Sequence, residues 1–208
     1  MPSSWDYFVG VEQAIVYAME SHKGTFRKDS IEGHSLPYIF HPLEVIKCLW
    51  GWGIGNELMM RAAALHDVLE DCPQVTLTSF QGARGFGIMD VFGKSVADLV
   101  VELTLAKNPD WTPEQSRKAK IEYMESFANK SLSALSIKLA DRFCNVRDFM
   151  LTNPKYAYKY FRKADPVYTA AFNRRQEFLD AYGKEAVEEI RSDYYKLFEK
   201  LGQGGVEF

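Results

Sequence analysis

The stretch Ala62-Ala63-Ala64-Leu65-His66-Asp67-Val68-Leu69-Glu70-Asp71 sets one histidine and three carboxylates on a short apolar segment. Read as an α-helix, His66 and Glu70 stand four residues apart, as do Asp67 and Asp71. Asp67 and Glu70 stand three apart, so the four side chains project over one turn of surface. Leu65, Val68 and Leu69 draw that surface inward. Burying a carboxylate costs several kcal/mol unless a cation or hydrogen-bond donors offset it. Two readings stand here: a metal site, or an exposed helix end whose acids are solvated. Two further segments bring ligand-type residues in apolar context. Pro37-Tyr38-Ile39-Phe40-His41-Pro42 presents His41 ahead of a proline able to start a helix, and Ile137-Lys138-Leu139-Ala140-Asp141-Arg142 presents Asp141 after an apolar run. His41, His66, Asp67 and Asp141 make a two-imidazole, two-carboxylate set. That mixture suits Mn, Fe or Zn, whereas thiolate-rich sets favour Zn or clusters.

Helices must carry these groups, and ligands spread along helices can converge in a bundle core. Residues 6–22 repeat apolar side chains at helical spacing, and Gly24 closes the segment. Pro42 suits the first turn of a second helix ending near Gly51. Asn56 caps a third, which carries His66 through Asp71 and stops near Pro73. Residues 94–105 form a buried helix. Thr112-Pro113-Glu114-Gln115 combines a threonine cap, a first-turn proline and a capping-box glutamine. Residues 132–151 form a long apolar helix bearing Asp141, Pro154 and Pro166 bracket a short one, and a last helix covers 184–201. No alternation or hairpin dipeptide argues for a strand. The expected fold class is all-α, a single domain over 1–201 with a loose C-terminal tail at 202–208. Gly82, Gly85, Gly87 and Gly93 interrupt the segment 76–93 around Arg84. No Walker-type lysine follows, which favours a connector over a phosphate-binding loop.

At 208 residues and a net charge of −3, the chain can bury a sizeable core and has no general reason to bind nucleic acid. Cys48, Cys72 and Cys144 are odd in number and lack paired spacing, so they read as reduced thiols of a reducing compartment. No basic-then-apolar leader opens the chain. No apolar run approaches the roughly 20 residues that span a bilayer. The expectation is a cytoplasmic protein without nucleic-acid or membrane partners; oligomeric state is not legible.

Three ordered segments carry a resemblance: His22…Arg27-Lys28…Pro37-Tyr38-Ile39-Phe40-His41-Pro42, then His66-Asp67-Val68-Leu69-Glu70-Asp71, then Lys138-Leu139-Ala140-Asp141-Arg142-Phe143-Cys144-Asn145-Val146-Arg147. Together they resemble the hydrolase domain of the RelA/SpoT homologues, which belongs to the HD-domain metal-dependent phosphohydrolases. The match runs from Ala18 to Arg147, with an echo to Tyr160. The resemblance implies a compact multi-helix HD-domain fold in which His41, His66, Asp67 and Asp141 bind one manganese ion. It implies that Glu70 and Asp71 are catalytic, assisting the attacking water and protonating or stabilising the leaving group, without saying which does which. Neighbouring acids repel, so one can hold a raised pKa and act as the acid. On the substrate side it implies Arg27 and Lys28 near base and phosphates, Asn145 at the sugar and Tyr160 closing over the base. Tyr38 can pack or donate a hydrogen bond beside them. Asn145 also follows Asp141 by one helical turn, which sets it on the same face. The implied activity is Mn-dependent removal of the 3′-pyrophosphate from (p)ppGpp, a small-molecule nucleotide, giving GDP or GTP plus pyrophosphate. One alternative is a phosphohydrolase for another nucleotide 3′-phosphate, such as that of NADPH. Another is a non-catalytic nucleotide-binding regulator, against which the intact Glu70 and Asp71 argue.

Other residues have plainer readings. His22 reads as a helix-terminal histidine bonded to backbone, His34 as solvated, and Arg147 as half of a structural ion pair. Lys155 and Lys159 are either phosphate contacts or solvated. Tyr156, Tyr158, Tyr160, Phe161, Tyr168, Phe172, Trp50 and Trp52 read as core, since aromatic bodies dominate burial. Phe143 and Cys144, and a loop 29–36 longer than usual, depart from the family pattern. These departures bear on substrate identity more than on metal binding.

Overall fold

Among the described residues of the computed structural model, 4–27, 35–78 and 87–203, the regular structure is helical and no strand occurs. The helices are α1 (Ser4–Ser21), α2 (Phe40–Gly51), α3 (Glu57–Leu65), α4 (Val68–Asp71) and α5 (Ile88–Leu103). They continue as α6 (Pro113–Ser126), α7 (Leu132–Thr152), α8 (Pro154–Lys163), α9 (Asp165–Asn173) and α10 (Arg175–Gln203). An isolated antiparallel bridge joins Phe26 to Pro37. It draws the ends of the intervening loop together through Arg27 N–H to the Leu36 carbonyl, 2.8 Å, and Tyr38 N–H to the Thr25 carbonyl, 3.0 Å.

α7 is the axis of the fold. Its buried residues run from Ala134 and Leu135 through Phe143, Cys144 and Val146 and include Lys138 and Asp141, so most of its circumference is covered. A helix buried on nearly all sides has to be wrapped by others. α2, α5, α8, α9 and α10 all pack on it, while α1 packs on α3. Two of the metal-ligand candidates thereby meet, because α2 brings His41 and α7 brings Asp141 into one interface.

The start signals hold. Asn56 accepts the Met59 amide at 2.9 Å, and Thr112 with Gln115 forms a complete capping box. Two caps not read from the sequence add to these: Ser131 caps α7 through the Ala134 amide, and Asn153 caps α8 through the Tyr156 amide. Gly87 cannot be replaced freely, because a Cβ there would lie 2.5 Å from the Thr78 backbone. That approach lets Ile88 and Met89 donate to the carbonyls of Thr76 and Leu77 at 3.1 and 2.8 Å.

Several expectations need correction. His66 through Asp71 do not extend one continuous helix: α3 stops at Leu65, and His66-Asp67 form a turn before α4. The physical reason is local. The His66 ring nitrogen Nδ1 takes the Ala63 carbonyl at 2.8 Å, the carbonyl that helix continuation offers to the Asp67 amide. α5 starts six residues earlier than expected, at Ile88, and is broken at Gly93 by a φ of 80°. α9 and the first part of α10 fill the interval left empty between Pro166 and Lys184, and Gly183, at φ 86°, kinks α10. α10 continues through Gln203, so the supposed tail is helical at its start; residues 204–208 lie outside the described residues. Trp50 is 60% exposed and Phe172 is also exposed, whereas Trp52, Phe161 and Tyr168 are core. Gly82, Arg84, Gly85 and His34 lie outside the described residues.

Candidate metal centre and nucleotide site

His41, His66 and Asp141 are each buried to within about a hundredth of their surface, and their ligand atoms all lie within 4.8 Å of one another. Asp67 joins them: its Oδ2 is 2.9 Å from His66 Nε2 and 3.8 Å from His41 Nε2. Asp141 Oδ1 lies 3.2 Å from His41 Nε2. The turn after α3, the start of α2 and the middle of α7 thus bring two imidazoles and the Asp141 carboxylate together, with the Asp67 carboxylate set against both imidazoles.

The residues present fit a divalent ion. His66 Nδ1–H is bonded to the Ala63 carbonyl, so Nε2 faces the centre and, once deprotonated, offers its lone pair to an ion. That Nε2 is buried 2.9 Å from Asp67 Oδ2, a pairing that a proton holds and that a divalent ion would take over. The carboxylates are held ionised. Burial pushes Asp67 up, but the adjacent His66 outweighs it and keeps the carboxyl well below the usual range. Burial likewise opposes ionisation of Asp141, and Arg142 and Lys138 reverse it. For His66, burial lowers the pKa while Asp67 and Asp141 raise it, to about 9 on balance. His41, by contrast, is lowered, chiefly by burial.

The two carboxylates are supported differently. Asp141 Oδ2 accepts Lys138 Nζ at 2.9 Å and Arg142 Nη2 at 2.6 Å. Its Oδ1, the oxygen facing His41, accepts the Asn145 amide. Asp67 Oδ2 accepts the hydroxyl of Tyr38, whose phenol is pushed far up by burial and then by Asp67, and so stays a donor. Lys138 is buried and cationic, an interior ion that sequence reading passed over as part of an apolar run.

Glu70 and Asp71, on α4, are more open. Glu70 Oε1 and Asp71 Oδ1 lie 3.1 and 3.0 Å from Lys107 Nζ. Glu70 Oε2 accepts the Leu105 amide at 3.3 Å. Lys107 was not among the expected site residues; no motif marks it.

Of the substrate candidates, Arg27 and Asn145 come together, with Arg27 Nη2 donating to Asn145 Oδ1 at 3.4 Å. Arg27 also ion-pairs with Asp148, a residue missed earlier although its place three after Asn145 sets it on the same helix face. Tyr160 lies under the Arg142 guanidinium, 5.0 Å from ring centroid to carbon, and so abuts the Asp141 support. Lys28 lies outside the described residues, and Lys155 and Lys159 are exposed. His22 is buried against the Cys72 thiol, 3.3 Å from Nδ1, and against the Tyr38 ring, rather than bonded to backbone through its side chain. Arg147 donates to the Cys144 thiol at 3.3 Å, in place of the expected carboxylate.

A helical bundle with a histidine-aspartate turn at its centre defines a class, and the comparisons agree. The HD domain family matches residues 14–176, and the chain belongs to that family. Within it, the chain is 35% identical over 144 residues to the guanosine-3′,5′-bis(diphosphate) 3′-pyrophosphohydrolase MESH1 of Xenopus tropicalis, covering 69% of this chain and 71% of that one. It is 33% identical to the Drosophila melanogaster MESH1 over 192 residues, covering 92% and 90% of the two chains. The bifunctional (p)ppGpp synthase/hydrolase SpoT of Escherichia coli is 28% identical over 81% of this chain, which spans 22% of that protein. A solved metazoan orthologue of SpoT, which hydrolyses ppGpp and plays a role in starvation responses, superposes with a TM-score of 0.64 at 27% identity. That superposition covers 94% of this chain and 97% of the orthologue.

Proposed function

We propose that this protein is a Mn²⁺-dependent (p)ppGpp 3′-pyrophosphohydrolase, acting as one domain. The observation that carries the reading is the convergence of His41, His66, Asp67 and Asp141, with Glu70 and Asp71 one turn beyond. The relatives named for this activity support the choice of substrate.

The metal would be held by those four residues, with Asp141 offering Oδ1 because Lys138 and Arg142 occupy Oδ2. A bound divalent ion supplies Lewis acidity and lowers the pKa of water by several units. Oxygen- and nitrogen-donor sets suit manganese. Glu70 and Asp71 follow the His66-Asp67 turn on α4, and one of them would take a proton from the attacking water at a carboxylate oxygen. As the water oxygen bonds to the phosphorus carried on the 3′-oxygen, the bond between that phosphorus and the 3′-oxygen breaks, the proton held by the acids passes to the 3′-oxygen, and pyrophosphate leaves. Arg27 grips phosphate or stacks on the base with a planar fork of donors, as lysine does not. Lys28 follows it, Asn145 meets the sugar, Tyr38 steadies Asp67, and Tyr160 covers the base. Three buried free thiols suit a reducing cytoplasm.

The test is turnover of ppGpp by the Mn²⁺-loaded protein, with NADPH in parallel. Pyrophosphate plus GDP, lost on chelation and in Asp67→Ala, is the expected result. Phosphate from NADPH with ppGpp untouched would keep the centre and overturn the substrate.

A further inference from the structure

We propose that Lys107 is a positioning residue for the reaction, bridging Glu70 and Asp71 so that both acids are held side by side at the centre. The inference rests on the reading of Glu70 and Asp71 as the reacting acids.

The geometry is specific. One ammonium reaches Glu70 Oε1 at 3.1 Å and Asp71 Oδ1 at 3.0 Å, and lies 3.5 Å from the Glu70 carbonyl. Among the described residues no other cation comes within ion-pair distance of either acid. The same connection supplies a second hold, because the Leu105 amide donates to Glu70 Oε2 at 3.3 Å. Both Glu70 oxygens are therefore engaged from the α5–α6 connection, and its frame is fixed at either end. Thr104 Oγ1 returns to the Val100 carbonyl at 2.8 Å where α5 ends. Asn108 accepts the Asp110 amide at 2.9 Å, and the Thr112 box opens α6.

The chemistry needs such a hold. Adjacent carboxylates repel each other, and both repel a polyanionic substrate; α4, at four residues, is too short to be rigid by itself. One lysine between them offsets half of that charge and sets their separation. A charge-assisted bond is the stronger kind, and burial of the lysine, opposed by Glu70 and Asp71, leaves its own pKa raised. Lys107 is half exposed, so it can be changed without opening the core.

The experiment compares Lys107→Met, Lys107→Arg and Glu70→Gln with the parent protein, all loaded with Mn²⁺. Metal content is measured by elemental analysis, folding by thermal melting, and kcat and KM on ppGpp. Lys107→Met is expected to keep metal and fold while losing about 10–100-fold in kcat with KM nearly unchanged, the pattern of an interaction lost in the transition state. Lys107→Arg is expected to recover most of that loss. An unchanged kcat in Lys107→Met, beside an inactive Glu70→Gln, would reduce the bridge to a surface ion pair. A raised KM at unchanged kcat would make Lys107 a substrate contact and overturn the positioning role. Parental turnover in Glu70→Gln would remove the acid itself, and this inference with it.

Discussion

The two sides of the site solve opposite problems. On the ligand side, His41, His66 and Asp141 are sunk in the core, and every charge there meets a fixed partner: Lys138 and Arg142 on Asp141, His66 and Tyr38 on Asp67. On the acid and substrate side, Glu70, Asp71, Lys107 and Arg27 keep part of their surface in solvent and are borne on a single-turn helix or on connections. The first side must hold charge in low dielectric, where an unpaired ion is expensive and a rigid scaffold repays the ordering. On the proposed function the second admits a polyanion and releases its products, and its ion pairs are open and individually weak. Preorganisation is thus concentrated where ligand geometry is strict, and exchange is left where substrate comes and goes.

Removing Asp141 tests the contrast most severely. Asp141→Ala should abolish metal binding and turnover, and should also destabilise the metal-free protein by about 3–5 kcal/mol, since Lys138 and Arg142 are left buried without their anion. Asp67→Ala should lose metal equally but destabilise much less, its partners being a histidine that can shed its proton and a phenol. Denaturant melts of both variants without metal decide; equal losses would erase the distinction. Glu70→Gln comes next, with metal retained and turnover lowered by roughly 10²–10⁴-fold. Arg27→Met should cut kcat/KM by about 10–100-fold, the worth of a charge-assisted contact, without changing metal content.

Metal binding should also carry a proton signature. The metal-free His66 pKa is raised to about 9, so the ring is protonated at pH 7.5 and the ion must displace that proton. Affinity should therefore climb as pH rises toward 9 and flatten above it, which titration calorimetry in buffers of different ionisation enthalpy can follow. The same shift works the other way on the metal-free fold. Protonated His66 stabilises it fully below the unfolded value near 6.5, and that contribution is lost as pH rises through 9. The smallest effect belongs to Trp50→Ser at an exposed position, within about 0.5 kcal/mol of the parent by melting.

The sequence by itself determined the all-α class, because apolar spacing and the caps at Asn56 and Thr112 act within one turn and need no distant partner. It also determined the ligand candidates, since a histidine or carboxylate in an apolar run is costly unless something binds it. Tertiary structure decided the rest. The break of α3 at Leu65 depends on which carbonyl the His66 ring finds, and the exposure of Trp50 depends on which face α2 turns to α7. The partnership of Lys107 with Glu70 and Asp71 spans more than thirty residues, and that of Arg27 with Asn145 and Asp148 more than a hundred. Such pairings leave no local trace, because a solvated lysine and a bridging one have the same neighbours in sequence and differ only in what the fold brings to them.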